Sequence, residues 1–134
     1  MSTTSAGFNL DSAFLRLRGA DLSAEALPVD ETFWPRIMSG KLGTFHNEYL
    51  VATSSFDKDW GNWERHPAGD EIVLLLEGAV TFVLETASGE QRVSLREAAD
   101  YVVVPRGTWH TAKTSQPTRM LFITPGEGTE HRPA

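Results

Sequence analysis

From Tyr49 onward the chain breaks into short runs rich in β-branched and aromatic residues, "YLVATSSF", "EIVLLLEGAVTFVLE", "QRVSLR", "YVVVP" and "RMLFITP", with turn residues between them. Runs of this kind are strand signals, and their close spacing predicts an all-β domain. Gly78 in "LLEGAV" supplies the positive φ needed where one strand bends into its neighbour, and "TASGE" has the chemistry of a hairpin loop. Both turns favour antiparallel strands. Residues 72–76 and 101–104 are apolar at consecutive positions, so both faces of these strands need cover, from a second sheet or a second subunit.

The N-terminal third is less regular. Residues 1–10 are small and polar and read as an arm, and "SAFLRLRG" alternates apolar residues with Arg16 and Arg18 as an edge strand would. In "DETFWPRIMSGKLG", Asp30 is placed to N-cap one short helix. That helix carries Phe33, Trp34, Ile37 and Met38 on one face, Pro35 in its first turn and Gly40 at its end.

A chain of 134 residues with 40% hydrophobic content makes one globular domain. The absence of cysteine excludes disulfides, a thiolate nucleophile and any Cys-ligated metal, so a metal would have to be held by imidazole and oxygen. A formal net charge of −6 without a Lys/Arg cluster argues against a nucleic-acid partner. "MSTTSAGFNL" lacks the basic flank and apolar core of a signal peptide, and no run approaches the ~20 apolar residues of a membrane span. A cytoplasmic location without membrane contact is expected. No Gly-x-Ser-x-Gly elbow is present for Ser-His-Asp hydrolysis.

The chemistry concentrates in two places. In "WERHPAGDE", strand parity puts Glu64 and His66 on one side, and Glu71 opens the next strand on the parity of Val73 and Leu75. In "YVVVPRGTWHTA" a strand, a Pro-x-Gly turn and a second strand form a hairpin that would bring His110 alongside. A bland alternative makes Glu64, Arg65, Asp70 and Glu71 a solvated rim, but Glu71 adjoins five apolar residues. Trp60, Trp63 and Trp109 read as packing residues, Arg106 and His46 and His131 as surface residues, and "GEGTEHRPA" as a frayed tail.

These spacings resemble the two motifs of the cupin superfamily. The first, Gly, five residues, His-x-His, three or four residues, Glu, six residues, Gly, falls on Glu64, His66, Glu71 and Gly78. The second, Gly, five residues, Pro-x-Gly-x-x-His, three residues, Asn, falls on Ala99, Pro105, Gly107, His110 and Thr114. Among the positions named, three depart from the pattern: Glu64 replaces the first histidine, Ala99 a glycine and Thr114 the asparagine. The resemblance implies a small antiparallel β-barrel or jelly roll. Residues 1–55 would form an arm, the short helix and first strands packed on it, 56–125 the barrel core, and 126–134 a tail.

By the same resemblance His66, Glu71 and His110 are expected to hold one divalent metal, with Glu64 as a fourth ligand or a free carboxylate acting as general base. Two imidazoles and one or two carboxylates suit Fe, Mn, Ni or Zn. The resemblance further implies a metal-dependent enzyme acting on a small oxygen-rich molecule, as an oxidase, dioxygenase or isomerase. Its alternatives are a non-catalytic small-molecule-binding module and a metal-free acid/base enzyme of epimerase type. A homodimer joined through sheet faces is expected.

Overall fold

The computed structural model describes residues 6–134, so the first half of the expected polar arm lies outside the described residues. The chain forms two antiparallel sheets packed face to face. One has six strands in the order β2-β1-β3-β10-β5-β8, the other five in the order β11-β4-β9-β6-β7. The strands are β1 (Ala13–Arg18), β2 (Ala24–Pro28), β3 (Glu48–Phe56), β4 (Asn62–Arg65), β5 (Glu71–Glu77), β6 (Val80–Thr86), β7 (Gly89–Leu95), β8 (Tyr101–Val104), β9 (His110–Lys113), β10 (Thr118–Thr124) and β11 (Glu130–Pro133). The expected antiparallel jelly roll with one short helix is what the chain builds, as two open sheets rather than one closed ladder of hydrogen bonds.

Alternation along β5 explains how the core is made. Glu71, Val73 and Leu75 are buried while Ile72, Leu74 and Leu76 are half-exposed, the period of two that sends alternate side chains to opposite faces. Val73, Leu75 and Met120 of one sheet meet Val80, Phe82, Leu84 and Ala112 of the other. Each fully buried Val, Leu, Phe or Met side chain contributes about 1.5–3 kcal/mol. A second cluster, Phe14, Leu27, Phe33, Phe45, Leu50 and Ala52, is closed by the helix α1 (Phe33–Met38).

Several local expectations change. β1 is interior to its sheet, paired on one side with β2 and on the other with β3; the edge is β2, whose "AEALP" carries helix-favouring residues. Thr32, not Asp30, is the N-cap residue of α1, and Asp30 Oδ1 accepts from the Thr32 amide and hydroxyl at 2.8 and 2.6 Å. Gly78 (φ 90°) does not join neighbours but turns the corner from β5 in one sheet to β6 in the other. The Pro-x-Gly turn likewise links β8 in the six-stranded sheet to β9 in the five-stranded one, so it is not a hairpin. The segment read as a frayed tail forms β11, paired with β4 over four residues.

Candidate functional site

Crossing between sheets, rather than hairpin pairing, assembles the site. Glu71 enters at the start of β5, Glu64 sits in β4, His66 follows β4 directly, and His110 opens β9 opposite Glu64. His110 Nε2 lies 3.0 Å from Glu71 Oε1, His66 Nε2 lies 3.3 Å from Glu71 Oε2, and Glu64 Oε2 stands 3.9 Å from His66 Nε2. One ligand atom each from Glu64, His66 and His110 falls within 4.8 Å of the others. The four residues expected from spacing are thus in one place. His110, Glu71 and His66 are 0, 2 and 4% exposed, whereas the Glu64 side chain is 27% exposed.

Hydrogen bonds from behind fix how the imidazoles present themselves. His110 Nδ1 donates to the Thr108 carbonyl at 3.0 Å. The Thr129 hydroxyl donates to the Gly126 carbonyl at 3.1 Å and so accepts from His66 Nδ1 at 2.8 Å. With both Nδ1 atoms acting as donors, a neutral ring of either histidine turns an Nε2 lone pair toward the cluster. Thr124 donates its hydroxyl to Glu71 Oε2 at 2.6 Å, leaving Oε1 free. Among the described residues, His66 Nε2, His110 Nε2 and Glu71 Oε1 are all buried without a hydrogen-bond partner. Three buried acceptors converging without donors is a costly arrangement for an empty protein interior. It suits a cation, and the backing hydrogen bonds are of the kind that orient metal-binding histidines.

The charges act in the same direction. Burial pushes the Glu71 carboxyl up, but its contacts with His110 and His66 and their charges more than offset this and hold it at about 2. Burial lowers His110, and contact with Glu71 together with the Glu71 charge raises it above its ordinary value. Glu71 therefore stays an anion that demands a positive partner, either a proton on the neighbouring ring or a metal.

The surroundings are aromatic and partly unexpected. Trp60 packs as predicted, against Phe56, Phe82 and Phe122, with its ring 6.3 Å from that of His110. Trp63 and Trp109 carry cations on their faces: Arg132 lies over both, at 5.2 and 4.5 Å, and Arg65 over Trp109 at 4.8 Å. His131 does not stand alone at the surface, since its Nε2 is 3.1 Å from Glu64 Oε1. Nothing in the tail's composition signalled that contact; only strand pairing creates it. Arg106 is exposed, and its backbone amide donates to Asp70 at 2.8 Å. Two shallow grooves, along 79–81 with 113–116 and around 55–57 with 117–119, contain no residue of the cluster.

Among solved structures, the fold is similar to a cupin-2 domain protein of Shewanella frigidimarina (19% identity, 63% of this chain and 71% of that one, TM-score 0.47). It is also similar to the oxalate decarboxylase of Bacillus subtilis, described with Mn(II) centres (15% identity, 63% of this chain and 23% of that one, TM-score 0.51). A third is hydroquinone 1,2-dioxygenase of Sphingomonas sp. TTNP3, with 4-hydroxybenzoate bound (19% identity, 64% and 60%, TM-score 0.49). No curated protein matches the sequence. Residues 50–122, more than half of the chain, match the EutQ-like cupin domain, and the chain belongs to that family.

Proposed function

We propose that the protein is a metal-dependent enzyme in which His66, Glu71 and His110 hold one divalent cation and Glu64, a partly exposed carboxylate, is the fourth residue of the site. The observation that carries this reading is the convergence of three buried, unpartnered acceptor atoms, two imidazole Nε2 and Glu71 Oε1. Fe, Mn, Ni or Zn suits the two nitrogen and one or two oxygen donors, and such an ion would supply Lewis acidity or, for a redox metal, oxygen chemistry.

The surroundings support a substrate class. Of the four residues Glu64 alone reaches solvent to an appreciable degree, so a substrate approaches past it, and a small molecule with carbonyl or hydroxyl oxygens fits a polar entrance of that kind. Where it does not ligate the ion, Glu64 would take or return a proton on that side, while the aromatic wall of Trp60, Phe82 and Phe122 keeps water from the buried side of the cluster. A metal-free acid/base reading would pair His66 or His110 with a carboxylate, and both rings are buried, 4 and 0% exposed.

The protein, loaded in turn with Fe, Mn, Ni and Zn, is to be assayed on oxidase, dioxygenase and isomerase substrates before and after chelation. Turnover that chelation abolishes supports the reading. Turnover that survives it selects the metal-free alternative, and no turnover with any metal favours a non-catalytic binding module.

We also propose a homodimer. On the outer face of the six-stranded sheet, edge residues Tyr101 and Val103 are 62 and 44% exposed and continue across the ladder into Leu74 and Ile72, then Leu121 and Ile123. A contiguous apolar face of this kind suits a second copy.

A further inference from the structure

Glu64 is bracketed by histidines on both neighbouring strands. β4 lies between β11 and β9, with His131 opposite Glu64 on one side and His110 opposite it on the other. Residues directly opposite in an antiparallel pair have their side chains within reach of each other. The two oxygens of the Glu64 carboxylate are consequently divided: Oε1 accepts from His131 Nε2 at 3.1 Å, and Oε2 is the one turned to the cluster, 3.9 Å from His66 Nε2.

The strand that delivers His131 is held by contacts independent of the cluster. Arg132 lies over Trp63 and Trp109 and pairs with Glu85 at 2.5 Å, and Glu130 pairs with Arg65 at 2.5 Å. His131 is therefore presented to Glu64 by a fixed strand rather than by a free end.

We propose that His131 is a positioning residue for the metal centre, holding Glu64 by one oxygen so that the other alone is offered to the cation. This rests on the metal reading above. A carboxylate engaged in this way would bind a cation through a single atom and leave room for a small oxygen-bearing molecule. Released from His131, it is free to chelate with both oxygens or to turn to solvent.

Co(II) is a suitable probe, because its visible d–d bands report coordination number and geometry without turnover. The parent should bind one Co(II) per chain. His131→Ala should still bind one, about 10-fold more weakly, the lower range for losing an outer partner of a ligand, with shifted band positions and intensity. His131→Gln, whose amide can donate to the same oxygen, should largely restore the parent spectrum, and His131→Ala combined with Glu64→Ala should match Glu64→Ala alone. If alanine loosens β11, His131→Leu keeps the volume without a donor and gives the same readout. A folded His131→Ala or His131→Leu variant with the parent's affinity and spectrum overturns the positioning role while leaving the metal reading intact. A parent that binds no Co(II) overturns both.

Discussion

His110 Nε2 and Glu71 Oε1 lie 3.0 Å apart in the core, and neither atom has a hydrogen-bond partner among the described residues. A buried carboxylate is costly unless a positive group answers it, and here the answer is a proton on His110 or a cation bound by both. The two compete for the same electron pairs, which makes the site's behaviour with pH diagnostic.

In the chelated protein, Glu71 is held at about 2 against an ordinary 4.5. Its contribution to stability is present above pH 4.5 and is lost as pH falls from there toward 2. His110 is raised above 6.5, so its contribution is full below 6.5 and is lost as pH rises through its folded value. The metal-free protein should therefore be most stable between pH 4.5 and 6.5. Metal ligation needs neutral imidazoles, so the gain in unfolding temperature from added metal should grow from pH 5 to 8. Unfolding scans across pH, with chelator and with metal, check this; a chelated protein that keeps gaining stability above 6.5 would contradict it.

Glu71→Gln preserves shape but removes the buried negative charge. Metal affinity, followed by titration with a competing chelator, should fall by about 100-fold or more, beyond the usual cost of an outer partner alone. An unchanged affinity would show that Glu71 serves packing and the Thr124 bond rather than ligation.

Two positions aligned with motif glycines should respond in opposite ways. Ala99 sits at φ 76°, a conformation costing an L-residue about 1–2 kcal/mol, partly balanced by the greater freedom glycine has when unfolded, roughly 0.4–1 kcal/mol. Ala99→Gly should leave stability unchanged or raise it, by about 1.6 kcal/mol at most. Gly78 (φ 90°) has no room for a side chain, because a Cβ there would meet the Pro117 carbonyl and lie 2.8 Å from Thr118 Cα. Gly78→Ala should cost at least about 2 kcal/mol. Denaturant titrations of both variants decide the matter.

The outer face of the six-stranded sheet should hold two chains together. Sedimentation at micromolar concentration should give a dimer for the parent and a folded monomer for Tyr101→Glu with Val103→Glu. A monomeric parent, or a doubly substituted chain that remains dimeric, removes that face from the account.

The legible part of this protein was the spacing of Glu64, His66, Glu71 and His110, since residue counts between motif positions survive whichever sheet the strands join. Turn chemistry marked Gly78 and the Pro-x-Gly segment as turns, but it does not specify whether the next strand pairs with the last one or crosses to the opposite sheet. β2 was missed because "AEALP" buries only Leu27, too little to outweigh Ala and Glu propensities on paper. β11 was missed because "EHRP" has no apolar alternation; Arg132 stacking and ion pairs hold it instead. With β11 went His131, whose contact with Glu64 exists through strand register alone.

The most direct test is elemental analysis of the purified, untagged protein beside folded Glu71→Gln and His110→Gln variants, before and after reloading. Close to one divalent metal per chain is expected in the parent and little in either variant. No metal in the parent after reloading, or equal metal in all three, would contradict the metal reading.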